Sequence, residues 1–132
     1  MDIPYGEPSF EISEMIGKTF LKVTNIEDEI LEFLADNGDR YIFHHYQSCC
    51  ECVSIEDIVG DLSDLEGSPI LEAEESEGEP KVGDYGKSCT WTFYKFGTIK
   101  GHVNVRWYGS SNGYYSESVD MNIIKAKKDG VP

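Results

Sequence analysis

The chain has 132 residues and a formal net charge of −14, and 39% of its residues are hydrophobic. This length and apolar content predict one domain over residues 1–132 with a sizeable core, whereas the acidic excess argues against binding a nucleic-acid polymer, whose phosphates attract lysine and arginine. No stretch approaches the roughly 18 apolar residues of a membrane span, and the acidic, proline-broken start lacks the pattern of a signal peptide, so we expect a cytoplasmic protein that binds no membrane.

The first part of the chain predicts a short helix followed by strands. Ser9 can cap a helix over residues 10–16, and Gly17 would end it. Further along, Asn37-Gly38 is the clearest hairpin signal in the chain, because this pair adopts two positive-φ positions at little cost. Apolar and β-branched residues predict strands over residues 18–26, 29–35 and 40–46.

The middle of the chain predicts an amphipathic helix. Ser54 can cap it, and Gly67 and Pro69 would end it after about three turns. Its acidic residues fit a solvated face better than a metal or glycosidase site, since no calcium-loop order is present. Beyond it, the low apolar content of residues 74–86 predicts an acidic mobile loop. The apolar residues at helical spacing are Ile55, Ile58, Val59, Leu62 and Leu65.

Histidines and cysteines cluster just before this predicted helix. His44 and His45 are adjacent and would point to opposite faces of a strand, so they cannot easily share one ion. The acidic neighbours of Cys49, Cys50 and Cys52 disfavour a reactive thiolate, which makes a Cys–His hydrolase the weakest hypothesis. We expect reduced cysteines that pack locally, no metal and no cofactor.

Residues 89–120 hold both tryptophans and four of the eight tyrosines. Glycines divide this stretch into three predicted strands of an antiparallel meander, and a basic tail follows over residues 125–132. Alternation predicts that one face of the meander is core and that the other binds a ligand. The predicted core face is Trp91, Phe93, Val103, Val105, Trp107, Val119 and Met121. The predicted binding face is Tyr94, Phe96, Asn104, Arg106, Tyr108, Ser116 and Ser118.

The predicted binding face combines aromatic rings, hydrogen-bonding groups and one permanent cation, Arg106. Aromatic rings and guanidinium planes stack on bases, and arginine binds phosphate through bidentate hydrogen bonds. A small nucleotide needs few positive charges, so it suits an acidic protein better than a polymer does. The same residue types are typical of an oligomer interface, and a site can form where subunits meet.

These elements together predict an α+β fold. We expect one antiparallel sheet, built from an N-terminal hairpin and the C-terminal three-stranded meander, with a short N-terminal helix and the central amphipathic helix.

Four stretches of the sequence resemble a family of small phage and prophage proteins. The stretches are Q-S-C-C-E (47–51), S-I-E-D-I-V-G-D-L-S-D-L-E-G-S-P-I-L-E-A-E-E (54–75), W-T-F-Y-K-F (91–96) and R-W-Y-G-S-S-N-G-Y-Y-S-E-S-V-D (106–120). On these motifs the chain resembles the first type of Thoeris anti-defence protein over residues 15–124.

This resemblance implies a sponge rather than an enzyme. Such proteins bind the cyclic ADP-ribose isomers that bacterial TIR-domain enzymes make, and they hold these signals intact in the host cytoplasm, away from the defence effector. Some members also trap cyclic oligonucleotides at separate sites, which implies a homodimer or a larger assembly such as a hexamer. The implied ligand contacts are Arg106, Asn104 and a ring from Tyr94 or Phe96, with Lys125 in place of a second arginine and Lys18 at a second, polyanionic site.

The alternative hypothesis is an acidic decoy. The net charge of −14 and the acidic segment 74–86 indicate a protein that could imitate a polyanion and bind a host nucleic-acid enzyme.

Overall fold

Two antiparallel sheets, packed face to face, make up the described part of the chain. The structure is a computed structural model that describes residues 8–47, 50–78, 81–82, 88–112 and 116–126. The strands in these ranges are β1 (Phe20–Ile26), β2 (Ile30–Ala35), β3 (Arg40–His44), β4 (Cys52–Val59), β5 (Glu72–Glu77), β6 (Lys81–Val82), β7 (Ser88–Thr98), β8 (Gly101–Ser111) and β9 (Asp120–Ile124). The first sheet has the order β1-β2-β3-β9 and the second the order β4-β8-β7-β5, with β6 paired to β7.

Local turn chemistry sets the strand pairs of the first sheet. In the β1–β2 turn the side-chain oxygen of Asn25 accepts a hydrogen bond from the backbone N–H of Asp28 at 2.9 Å. In the β2–β3 hairpin Gly38 adopts a φ of +92°, and the side-chain oxygen of Asn37 accepts from the Asp39 N–H at 2.9 Å. The hairpin that the Asn-Gly pair predicts is therefore confirmed.

The β7–β8 hairpin dominates the second sheet. Its two strands are 11 residues each, and they pair without interruption from Ser88 opposite Ser111 to Thr98 opposite Gly101. At the turn end, the hydroxyl of Thr98 donates to the carbonyl oxygen of Asp64 at 2.5 Å. This bond ties the hairpin to the segment that follows β4.

Aromatic rings from both sheets meet in the core. The ring centroid of Phe33 in β2 lies 5.0 Å from that of Phe96 in β7, and the Phe43 centroid in β3 lies 4.9 Å from that of Tyr94. All four side chains are fully buried. Tilted and edge-on ring pairs at such distances add about 0.5–1.5 kcal/mol each to the gain from burial. Their burial fixes the opposite face of β7 as the exposed one.

The prediction of an α+β fold is wrong, because the described residues form two β-sheets and two 3₁₀ turns, with no α-helix among them. The predicted central helix is β4 followed by a 3₁₀ turn at Leu62–Leu65. A β-bulge between Ile55 and Asp57 shifts the inward positions, so that Ile55 and Ile58 both pack against the core. This three-residue spacing resembles a helical period, and it explains why the sequence predicts a helix where the structure has β4.

The predictions of a single sheet and of a C-terminal three-stranded meander are also wrong. Only β7 and β8 of the predicted meander pair with each other, whereas β9 joins the first sheet beside β3, with Met121 opposite Phe43. The predicted N-terminal helix is a 3₁₀ turn, Ile12–Met15. The Glu11 N–H donates to the Glu14 carboxylate across this turn at 2.6 Å.

Two predicted segments lie partly outside the described residues. Residues 74–77 of the predicted acidic loop lie in β5 and pair with β7, whereas 79–80 and 83–87 are outside the described ranges. Of the predicted basic tail, only Lys125 and Ala126 are described. Within the part of the chain that the structure describes, no helix has the length and apolarity that a membrane crossing requires.

Candidate functional site

The register of β7 against β8 decides which side chains reach the exposed face of the second sheet. Trp91 pairs with Tyr108, and Phe93 pairs with Arg106. Residues directly opposite each other on paired strands point to the same face. Arg106 and Tyr108 therefore share the exposed face with Trp91 and Phe93.

The predicted positions of Tyr94 and Phe96 on the binding face are wrong. Both side chains are 0% exposed and contribute to the core. Conversely, Trp91 and Phe93, both predicted to be core, lie on the outer face, where Phe93 is 38% exposed. The alternation along β7 was correct, but its phase was inverted. In β8 the predicted phase is confirmed, since the buried residues there include Val103, Val105 and Trp107.

The exposed side of the β7–β8 hairpin carries three aromatic side chains, Trp91, Phe93 and Tyr108. We define the aromatic face as Trp91, Phe93, Asn104, Arg106 and Tyr108. The ring centroids of Trp91 and Tyr108 lie 5.1 Å apart, with their planes tilted by 53°. Asn104 lies further along β8, opposite Lys95 of β7. The face thus offers ring planes flanked by an amide and a guanidinium group.

The β-bulge in β4 places two carboxylates close to Arg106. Asp57 pairs with Arg106, and Glu56 is the extra residue that the bulge inserts just before it. The guanidinium Nε lies 2.7 Å from Glu56 Oε1, and Nη2 lies 3.9 Å from Asp57 Oδ2. The same Glu56 oxygen accepts from the indole N–H of Trp91 at 3.2 Å. The sequence prediction missed these contacts because it assigned both carboxylates to a helix.

The cations on this side of the second sheet have carboxylate partners. Lys95 Nζ lies 3.2 Å from Glu72 Oε1, and Arg106 is held as described above. The Arg106 side chain is 42% exposed and that of Glu56 39%, so water screens their ion pair and it contributes only about 0–1 kcal/mol. Partial burial, together with the neighbouring Cys89, raises the pKa of Tyr108. A phenol of ordinary pKa is already protonated at neutral pH, so the Tyr108 hydroxyl can donate a hydrogen bond.

The other predicted ligand residues lie on different elements. Lys125 is next to β9 in the first sheet, with its Nζ 3.7 Å from Asp39 Oδ2. Lys18 precedes β1, with its Nζ 5.9 Å from the ring centroid of Tyr41. Ser116 is exposed on the segment that leads to β9. The structure therefore brings Asn104, Arg106 and Tyr108 together, but does not add either lysine to the aromatic face.

The adjacent histidines form buried structural contacts. His44 Nε2 lies 2.8 Å from the side-chain oxygen of Asn122, and burial lowers the pKa of His44 despite this bond. His45 Nδ1 lies 2.8 Å from the Ser118 carbonyl oxygen, and its Nε2 lies 2.7 Å from Glu51 Oε2. These contacts tie β3 and the residues after it to β9 and the segment before it. Among the described residues, no group of three or more His, Cys, Asp or Glu is arranged to hold a metal ion.

The cysteines fall into two chemical states. Cys50 is disulfide-bonded, so the expectation of reduced cysteines does not hold there. Cys52 and Cys89 are not disulfide-bonded, and the first is exposed whereas the second is partly buried. Cys49 lies outside the described residues.

A buried carboxylate fixes the segment before β9 against the second sheet. Glu117 accepts hydrogen bonds from the hydroxyls of Ser88 at 3.3 Å, Thr90 at 2.7 Å and Ser111 at 2.5 Å. No sequence pattern indicates this cluster, because its donors come from separate positions on two strands. The contacts close one end of the interior rather than extend the aromatic face.

Comparison with known protein families matches residues 13–121 to DUF7448, which is described as a domain of unknown function. No curated protein and no solved structure matches the chain.

Proposed function

The chain belongs to the DUF7448 family, and we propose that it is a non-enzymatic binding protein that sequesters a small cyclic nucleotide on its aromatic face. The ligand class is the cyclic ADP-ribose isomers of bacterial TIR enzymes, with cyclic oligonucleotides as a further class. The protein acts as a phage sponge in the host cytoplasm, and it self-associates as a homodimer or a larger assembly. It releases its ligand unchanged.

The partly exposed ring pair of Trp91 and Tyr108 beside Arg106 carries this proposal. Base–aromatic stacking contributes about 1–3 kcal/mol for each base, and it acts between ring faces rather than between charges. Arginine adds a planar group that stacks on bases and also binds phosphate oxygens. A ligand with flat rings and few charges therefore fits this face of an acidic protein. The motif resemblance described above supports the same ligand class.

Calorimetry with cyclic ADP-ribose tests the proposal. We expect saturable binding, followed by recovery of the intact ligand after heat denaturation and chromatography. Trp91→Ala should lose binding, whereas Ile99→Ala, at an exposed hairpin tip, should retain it. No binding by the parent protein to any cyclic ADP-ribose isomer or cyclic oligonucleotide would exclude the function. A chemically altered ligand would make the protein an enzyme.

The edge strand β5 favours the second candidate, an acidic decoy for a host nucleic-acid enzyme. Glu74, Glu75 and Glu77 are exposed along this edge, where they present a row of carboxylates. Partial burial raises the pKa of Glu75, and the neighbouring Glu77 and Glu11 carboxylates raise this pKa further. A pull-down from host lysate at low and high salt tests this candidate. A salt-sensitive enzyme partner that is lost on Glu74→Lys and Glu77→Lys substitution would support it.

A further inference from the structure

One oxygen of Glu56 occupies the position at which two donors of the aromatic face converge. The Arg106 Nε–H donates to this oxygen at 2.7 Å, and the Trp91 indole N–H donates to it at 3.2 Å. The donors come from neighbouring strands, β8 and β7, and the acceptor comes from a third strand, β4. Two converging N–H donors, one of them charged, are the arrangement that binds an oxyanion.

The side chain of Glu56 can leave this position without disturbing the sheet. β4 is one of the two edge strands of the second sheet, and Glu56 lies at the bulge, outside the regular ladder. The backbone beside it is anchored independently, since the Ile55 N–H donates to the Asp28 carbonyl oxygen at 2.6 Å. The Glu56 side chain is 39% exposed, so water can solvate the displaced carboxylate.

We infer that the Glu56 carboxylate is an internal substitute for a ligand oxyanion, and that a ligand binds by displacing it from Arg106 and Trp91. This inference rests on the proposed function, and it specifies the ligand further. The ligand carries a phosphate or other oxyanion beside a planar ring, so that the oxyanion replaces the carboxylate while the ring contacts Trp91 or Tyr108.

The inference assigns a sign to the effect of Glu56. If the ligand oxyanion must replace the carboxylate, Glu56 competes with it and repels it. Removing Glu56 then strengthens binding. If the ligand instead presents an amino group to Glu56, the carboxylate is a direct contact and its removal weakens binding. Breaking the exposed Glu56–Arg106 ion pair costs the ligand only a few-fold in affinity, and repulsion between Glu56 and the ligand oxyanion costs a similar factor. We therefore expect removal of the Glu56 charge to raise the affinity for the ligand about tenfold.

The first test measures the binding of cyclic ADP-ribose and of adenosine, which has no oxyanion, to the parent protein and to Glu56→Gln. We expect Glu56→Gln to bind cyclic ADP-ribose about tenfold more tightly and adenosine with unchanged affinity. Asp57→Asn is the matched control, because Asp57 lies 3.9 Å from the guanidinium and does not contact the shared position; its gain should be smaller. Weaker or unchanged binding of cyclic ADP-ribose by Glu56→Gln would overturn the inference and leave the proposed function intact.

The second test does not depend on the nucleotide. Inorganic phosphate is titrated into Glu56→Ala while the indole N–H resonance of Trp91 is followed by NMR. We expect a saturable shift in Glu56→Ala, a weaker one in the parent protein, and none in Glu56→Ala combined with Arg106→Ala. If phosphate shifts the Trp91 resonance in Glu56→Ala but no variant binds a nucleotide, the proposed function is rejected, whereas the claim that Arg106 and Trp91 bind an oxyanion is retained. No shift in Glu56→Ala would reject the oxyanion position.

Discussion

The two faces of the β7–β8 hairpin are both aromatic, yet they have opposite roles. On the inner face Tyr94 and Phe96 are fully buried and contact rings of the first sheet. On the outer face Trp91 and Phe93 lie beside Arg106 and its carboxylate partners, partly in contact with water. Aromatic content alone therefore does not distinguish core from binding surface. The packing of a second layer makes that distinction, since it covers one face and leaves the other exposed.

The largest expected effect comes from removing a ring of the inner face. Phe96→Ala should lower the free energy of unfolding by about 3–5 kcal/mol, because it leaves a cavity between the sheets. Phe93→Ala, three positions away on the outer face, should cost about 1 kcal/mol or less. Urea unfolding of both variants measures the contrast. Equal losses would contradict the assignment of the two faces.

The phase of β7 shows where sequence information ends. Trp91-Thr92-Phe93-Tyr94-Lys95-Phe96 places bulky rings at both odd and even positions, so alternation is compatible with either face being buried. In β8, by contrast, valines alternate with polar residues, and the predicted phase is confirmed. Pairing with β8 shows which face of β7 is buried only if the register between the two strands is known. Register is a tertiary property that a single strand does not encode.

Structure that depends on adjacent residues is easier to predict from the sequence than structure that depends on distant ones. Asn37-Gly38 predicted its hairpin because the turn is determined by adjacent residues. The β-bulge at Glu56 could not be predicted, since it exists only relative to β8, and it gave Ile55 and Ile58 a helical spacing. The contact between Glu56 and Arg106 could not be predicted for the same reason, since the two residues are 50 positions apart in the sequence.

A smaller effect on stability is expected from removing a buried hydroxyl on the inner face. The Tyr94 hydroxyl is buried and has no hydrogen-bond partner among the described residues, and burial raises the pKa of Tyr94. Tyr94→Phe removes this hydroxyl and keeps the ring, so it should stabilise the fold by about 1 kcal/mol. Thermal unfolding measures the change, with Tyr108→Phe on the outer face as the control. A loss of stability in Tyr94→Phe would mean that the hydroxyl has a partner.

A pH-dependent effect extends the comparison to a buried and an exposed imidazole. Burial lowers the pKa of His44 below its ordinary value of 6.5, so below that pH the unfolded chain binds a proton that the folded chain resists. Stability should therefore fall as the pH drops from about 6.5 towards the lower folded-state pKa. His44→Gln should reduce this acid-induced fall in Tm, whereas His102→Gln, at an exposed position on β8, should retain it. A steeper fall in His44→Gln would contradict the assignment.

The smallest effect on stability is expected at Arg106, where the effect on binding should be among the largest. Arg106 pairs with partly exposed carboxylates, so Arg106→Ala should change the free energy of unfolding by less than about 1 kcal/mol. The same substitution removes the only guanidinium of the aromatic face and should abolish binding of cyclic ADP-ribose. Arg40→Ala is the matched control, because Arg40 also pairs with one glutamate, Glu32 at 3.4 Å, but belongs to the first sheet. If Arg106→Ala unfolds the protein while Arg40→Ala does not, the ion pairs of Arg106 hold β4 to β8 and the outer face is structural rather than a binding surface.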